Sequence, residues 1–527
     1  MRLAISKEKL AGIEIPKQKY QTFGRCKTWS HLDSDANWPF FGRNNKGWRN
    51  AKAEKEINPG NVHKLKQLFT LPGTFEVDNS PAIVDGIVYY VDTTGTVFAA
   101  SAKTGDIKWT KNPTKIPTLV ASFGVTVGKK AVYVAINNID LNTFANTGTF
   151  GYALDIETGN VIWETLLNTL PDTLIWTQAT LTEGGIVIFN TGGLLVTAAD
   201  PTEIGALYGL NQETGSIIWS YMTTGQGVGQ PNSGGSGVGM FSHPAIDEDL
   251  GYLYVGTGQN RIAPSTPISD AILVLNYRTG TFVWSYQFTS NDITGDVDGQ
   301  PNPLFKDWDA DSGPYLIKLE KKKDGKCKKY TIVLIADKKG NVYSLDAKKG
   351  KLLWQKMITN PPPQFSYNCG VNSAGCFDGK FLYLASLYSI TGLPMNLDLQ
   401  QAGVTNAATS VVAVDPITGD FAWRQEFPGS VVAPLTVANG VLYVSFTFGS
   451  TSQAPDVDVG GVLKCLDTKC GKLVAEFVND ISTDPNANAN SGGAVTVYNG
   501  RVYQAFGAFF ASSPTVFGPG GVKVWGL

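Results

Sequence analysis

Only three histidines, His31, His63 and His243, stand among the 527 residues, too few for a histidine-rich metal centre and little scope for a Ser-His-Asp triad. No Gly-x-Ser-x-Gly elbow is present either, so hydrolase chemistry finds no nucleophile set. The six cysteines (Cys26, Cys327, Cys369, Cys376, Cys465, Cys470) form no CxxC and no CxxCH, which excludes a zinc ribbon and covalent haem. Two spacings, Cys369 with Cys376 and Cys465 with Cys470, suit either a short disulfide or free buried thiols. Glycines crowd 225–239, but no helix pattern follows them, and a phosphate-cradling loop needs that helix. From Lys318 to Lys329 seven lysines surround an Asp-Gly turn. This run predicts a solvated hairpin tip, the alternative being a docking site for an anionic partner.

What must position any chemistry is a repeat. An apolar strand, an Asp or equivalent, two residues, Thr-Gly, three residues and Trp recur along the chain. The copies are Ser101–Trp109, Asp155–Trp163, Asn211–Trp219, Asn276–Trp284, Asp346–Trp354 (with Lys-Gly) and Asp415–Trp423. A seventh, Asp467–Val474, keeps the turn and loses the tryptophan. The Asp or Asn can cap turn N–H groups, and glycine supplies a positive φ without a Cβ clash. Each buried Trp removes roughly 150–250 Å² from water, enough to hold neighbouring units together.

Upstream of each turn lie further short strands, such as Ser80–Val91, Gly124–Val134 and Val432–Val444, so each unit reads as four antiparallel strands. Successive tryptophans are 54, 56, 65, 70 and 69 residues apart. Seven units and a short last one, Gly493 to Trp525, make eight. The predicted fold is all-β: an eight-bladed β-propeller over 38–527 preceded by an N-terminal extension, 1–37. The last unit lacks an outer strand, and His63–Phe69 is an unassigned strand-like segment. We expect the two to pair in one composite blade, closing the ring and removing open edges. The composition agrees, with 58 glycines, 11% aromatic and 17% charged residues, a mix suited to a turn-rich β protein. A formal net charge of −2 provides no field for nucleic acid or an anionic membrane.

Trp38-Pro-Phe-Phe-Gly-Arg43, Ile57-Asn-Pro-Gly-Asn-Val62 and the Trp-terminated turns together resemble the quinoprotein alcohol dehydrogenases, most of all polyvinyl-alcohol dehydrogenase-like proteins. Pro244-Ala-Ile-Asp247 with Tyr252–Gly258, and Asp307-Trp-Asp-Ala-Asp-Ser-Gly-Pro314, are similar to further family segments. The resemblance implies a propeller that binds pyrroloquinoline quinone (PQQ) and Ca²⁺ over its channel and oxidises alcohols. It carries a quinone-contacting lysine to Lys338, in Asp337-Lys-Lys-Gly340. It carries a calcium-ligand asparagine to Gln259, an oxygen donor one methylene longer, with Asn260 adjacent. The family's adjacent-cysteine and arginine element falls on Asp200-Pro201 and Ile204-Gly205. The quinone-stacking tryptophan falls on Met240. The catalytic aspartate is expected a few residues before Asp270, where Ser265, Thr266 and Pro267 stand, and Asp270 itself joins Lys338, Gln259 and Asn260 as a candidate cofactor-binding residue.

These departures weigh toward a catalytically degenerate propeller acting as a structural or binding component of an assembly, at a particle surface or outside cells. The alternative is an active quinoprotein alcohol dehydrogenase using PQQ and Ca²⁺. Residues 1–20 mix lysines and glutamates with no apolar core, so neither a classical signal peptide nor a membrane span is expected. Residues 1–37 carry seven basic and four acidic side chains and three small apolar groups, which suggests an interaction arm for self-association.

Overall fold

In the computed structural model the described residues are 36–527, apart from 78–79, 115–119, 122–123, 141–145, 171–172, 194–204, 225–236, 261–263, 294–307, 324–325, 360–369, 390–406, 447, 450–460, 479–492 and 508–519. The arm proposed for 1–37 therefore falls, except for Ala36 and Asn37, outside them. Eight antiparallel sheets of four or five strands follow one another around the chain. Blade one spans Ala82–Lys111, blade two Val120–Asn168, blade three Thr173–Met222 and blade four Ala245–Gln287. Blades five, six and seven run through Ser312–Met357, Cys376–Ser430 and Thr436–Val478. The eighth is composite. Strand Lys66–Pro72 pairs antiparallel with Gly521–Gly526, which continues to Arg501–Phe506 and Val495–Tyr498. Closure thus occurs as expected from the sequence, with the first strand starting three residues later because Val62–Lys64 forms a turn of 3₁₀ helix. Among the described residues no helix is long and apolar enough to cross a membrane.

The repeat encodes a lock between blades. Trp109 of blade one lies over Gly159 of blade two, and a Cβ there would sit 2.6 Å from the indole. The same contact recurs for Trp163 on Gly215, Trp219 on Gly280, Trp284 on Gly350, Trp354 on Gly419 and Trp423 on Gly471. Each of these glycines has φ between +68° and +76°, so one residue serves both the turn and the seat for a ring. Five of the indoles also donate to a carbonyl of the next blade's turn, for example Trp219 Nε1 to Tyr277 at 2.9 Å and Trp423 Nε1 to Thr468 at 2.8 Å. Asp155, Asn211, Asp346 and Asp415 accept turn N–H groups as the pattern required. At the closure Phe69 takes the tryptophan's place on Gly105.

Inside the ring, the segment that precedes the repeats ties the inner strands together. Trp38 exchanges backbone hydrogen bonds with Ile83 (2.6 and 2.7 Å), and Pro39, Asn45, Lys46 and Trp48 accept from Val127, Ile246, Leu316 and Phe377. Arg49 and Ala51 bond Val437, and Glu54 accepts from Gly500 in blade eight. Arg49 is wholly buried and is held by oxygens of blades seven and eight, Ser80 and Phe41. Beside it His243 stacks on Phe41 with ring centroids 3.5 Å apart, and its Nε2 accepts the Gln178 N–H.

Burial, then the nearby Arg49 charge, holds the His243 pKa well below 6.5. The folded state therefore refuses a proton that the unfolded chain takes up below about pH 6.5. Stability from this group is complete above that pH and is lost as pH falls, by at most ~1.4 kcal/mol per unit. Urea midpoints of wild type and His243→Gln between pH 7.5 and 5.5 should diverge in slope, the variant being flatter; parallel slopes would sink this account.

Cys376, Cys465 and Cys470 are free thiols, so the bridge entertained for Cys465 and Cys470 does not form, while Cys369 lies outside the described residues. The lysine-rich hairpin pairs from Ser312↔Ala336 out to Lys323↔Lys326.

Candidate active site at the Lys338 turn

The tight turn Asp337–Gly340 joins strand Lys326–Ala336 to strand Asn341–Asp346. Its own aspartate shapes it: the Asp337 carboxylate accepts the Asn341 N–H at 2.9 Å and the Tyr343 hydroxyl at 2.8 Å. Burial pushes that carboxyl up to about 6. Gly340 takes φ +77° to close the turn. Lys338 is thereby aimed at Trp308–Asp311, the stretch leading into strand Ser312–Lys323, and its N–H donates to the Asp309 carbonyl at 3.0 Å.

The Lys338 ammonium stands 2.8 Å from Asp309 Oδ2 and 3.0 Å from Asp311 Oδ2. Both carboxylates thus face the same ammonium. One cation between two anions leaves the buried cluster with a net negative charge. Burial, countered by Lys338 and reinforced by Asp309, pushes the Asp311 carboxyl up to about 7. The other Asp309 oxygen accepts the Gln259 N–H at 3.2 Å. Gln259 Oε1 is buried without a hydrogen-bond partner. Gly258 makes this approach feasible, since a Cβ there would meet Asp309 Oδ1 at 2.6 Å and the Phe241 ring at 3.1 Å. Phe241 is half-buried and packs edge-on against Trp176, centroids 6.4 Å apart. On the other side of the turn Val371 donates to Asp337, and the next two side chains, Asn372 and Ser373, hold a buried oxygen each without a partner.

Lys338 and Gln259, both carried to the cofactor by the resemblance, thus meet through the Asp309 carboxylate. Asp309 and Asp311 come from the Trp-Asp-Ala-Asp segment, not from Ser265–Asp270. Asp270 instead opens a strand with φ +45°, its N–H on Gly258 and its carbonyl on Phe288. Ser265 bonds Ser269, and Asn260 holds the loop by accepting from Thr266 at 2.7 Å. Met240 is sealed in the apolar core between blades three and four. The aromatic ring beside the cluster belongs to its neighbour Phe241. Asp200, Pro201 and Ile204 lie outside the described residues.

Residues 38–365 match the family model described as the glucose/ethanol/alcohol dehydrogenase β-propeller domain, whose members depend on PQQ. The chain belongs to this family. A second model, for the outer membrane protein assembly factor BamB, matches residues 338–514. Among curated relatives, the polyvinylalcohol dehydrogenase of Sphingopyxis sp. (strain 113P3) is 25% identical over 489 residues, 86% of this chain and 67% of that protein. The dehydrogenase subunit of the quinone-dependent alcohol dehydrogenase of Acetobacter aceti is 26% identical, over 68% of this chain and 50% of its own length. The chain spans about half the length of several such relatives. The quinohemoprotein alcohol dehydrogenase of Comamonas testosteroni superposes with a TM-score of 0.68 at 20% identity, covering 94% of this chain and 81% of that one. A europium-containing methanol dehydrogenase reaches 0.68 at 14% identity, covering 94% and 99%. These superpositions establish the quinoprotein propeller fold.

The residues of the site fit the family's cofactors. A hard cation wants oxygen ligands, and Asp309, Asp311 and the orphaned Gln259 Oε1 offer them. A quinone carbonyl wants a cationic donor, which Lys338 supplies, and Asn372 and Ser373 add unpaired polar atoms beside the turn.

Proposed function

We propose that this propeller is an alcohol-oxidising quinoprotein dehydrogenase whose working groups are Asp309 and Lys338. The carrying observation is the buried contact of Lys338 with Asp309, because alcohol oxidation needs a base for the hydroxyl proton and a cation near the electron acceptor. Bound PQQ, polarised by a hard cation, would supply an acceptor for two electrons and the carbon-bound hydrogen. Asp309 takes the hydroxyl proton as the substrate carbon becomes a carbonyl carbon. Lys338 would hold positive charge beside a bound quinone, where it could stabilise developing negative charge, a form of preorganised stabilisation. Gln259 and Asp311 complete the oxygen set for the cation, Ca²⁺ or, as in the europium-containing relative, a trivalent ion. Phe241 offers a flat apolar surface with its edge on Trp176.

The departures at Gln259, Asp200–Gly205, Met240 and Ser265–Pro267 favour a degenerate, purely structural propeller instead; the carboxylate of Asp309 beside Lys338 and the Phe241 ring beside Gly258 support the dehydrogenase reading over it. Reconstitution with PQQ and either Ca²⁺ or Eu³⁺, followed by dye reduction with primary, secondary and polymeric alcohols, tests the reading. Cation-dependent turnover is expected. Neither PQQ uptake nor turnover under any of these conditions would return the chain to a structural role.

A further inference from the structure

The Lys338 ammonium lies where a cation would compete for both carboxylates, 2.8 Å from Asp309 and 3.0 Å from Asp311. Few other positions would satisfy it as well, since the side chain is 9% exposed and its two partners are 4% and 14% exposed. The turn itself has little freedom: Asp337 anchors it from within, and Gly370 lies so close that a Cβ would meet the Lys338 carbonyl at 2.0 Å. The backbone is fixed, while the side chain has four rotatable bonds.

From this geometry we infer that Lys338 is a built-in competitor for the cation, and that it couples cation loading to quinone loading. The inference rests on the dehydrogenase reading for the identity of the second ligand. With Lys338 between them, Asp309 and Asp311 already have a counter-charge, and an incoming ion meets a like charge at close range. The ion enters fully only as the ammonium leaves the carboxylates. Leaving costs free energy unless another acceptor receives the three N–H donors, and a quinone oxygen or carboxylate beside the turn is such an acceptor. Each ligand therefore assists the other, by the same factor in both directions. Asp309 and Asp311 then face the cation, and Lys338 faces the cofactor. The structure thus assigns Lys338 a second task, offsetting half of the negative charge of two buried carboxylates before loading.

Europium luminescence titration of the full chain, without and with saturating PQQ, reads the coupling directly and needs no variant. Wild type is expected to bind Eu³⁺ about tenfold more tightly with PQQ present, within the usual range for coupled sites. Lys338→Met, which removes the internal cation, is expected to bind Eu³⁺ alone ~10-fold or more tighter than wild type, with the PQQ dependence reduced below that of wild type to what direct contact between quinone and cation contributes. Lys338→Arg should stay close to wild type in the metal-only titration. A Lys338→Met protein that binds Eu³⁺ no better than wild type overturns the inference, as does a wild type that binds both ligands without mutual effect. If Lys338→Met tightens Eu³⁺ but PQQ binds to neither protein, the competitor role stands and the dehydrogenase reading fails. Should Lys338→Met not fold, Lys338→Gln, which also lacks the charge, takes its place in both titrations.

Discussion

Asp309→Asn is expected to lower turnover by roughly 10²–10⁴-fold, the usual contribution of a positioned proton acceptor, while PQQ uptake survives. The asparagine has the same shape, so its oxygen can still accept the Gln259 N–H that the carboxylate accepts at 3.2 Å. Its amide nitrogen, however, would face the Lys338 ammonium, now 2.8 Å from Asp309 Oδ2. Two donors cannot share that contact, and Lys338 falls back on Asp311 alone. The charge balance of the cluster changes from one excess negative charge to neutrality, but the fold has no reason to move. kcat should therefore collapse with little change in thermal midpoint. Asp270→Asn provides the contrast. Its residue is fully buried with φ +45°, and the effect should appear in stability, not in turnover. Full activity in Asp309→Asn, or its loss in a stable Asp270→Asn, would reverse the assignment of the base.

The architecture was legible because its determinants are local. An Asp cap, a positive-φ glycine and a Trp four residues later are all within one turn and one strand, and the next blade's glycine completes the lock. The orphan strand was legible for a related reason, since a ring with one blade short of an outer strand can be finished only by an unassigned segment. The site was half legible. Lys338 and Gln259 sit in recognisable turns, but Asp309, the proposed base, depends on a long hairpin. Strands Ser312–Lys323 and Lys326–Ala336 bring together residues nearly thirty positions apart. The signal was present: the sequence carries Asp-Gly between the two strands, a hairpin signal, and the register from Lys323↔Lys326 to Ser312↔Ala336, with one shift before Tyr315, brings the Asp309–Asp311 stretch beside the Lys338 turn. Met240 and Phe241 show the opposite hazard. A slip of one residue on extended chain exchanges the two faces, turning a half-buried ring beside the site into a thioether in the core.

Arg49→Met is expected to cost on the order of 4 kcal/mol, because it would strand several buried acceptors at once. The guanidinium donates through Nε to Leu435 at 2.7 Å, through Nη1 to Phe41 at 2.5 Å, and through Nη2 to Ser80, Thr436 and Val495 at 2.8, 3.0 and 3.3 Å. Those partners belong to the axial segment, the approach to blade one, and blades seven and eight, so one side chain joins the first and last blades. Its face also lies 4.6 Å from the Phe41 ring centroid and 5.4 Å from that of Trp38. Against this stands desolvation, which lowers the pKa to about 9 and leaves the group charged at neutral pH. Replacing a buried ion by an apolar side chain can be neutral when its partners are replaced as well. Here three carbonyls and two hydroxyls remain, and none of the carbonyls can turn away without breaking a strand or the axial segment. Stranded acceptors outweigh the relieved desolvation. Arg49→Lys keeps the charge but not the planar fork, and three donors cannot serve five acceptors, so it should recover less than half of the loss. Urea unfolding at constant m reads both variants. A Met variant within ~1 kcal/mol of wild type would mean that backbone contacts of Trp38–Ala51 hold the ring without the guanidinium, since ~1 kcal/mol is one ordinary hydrogen bond.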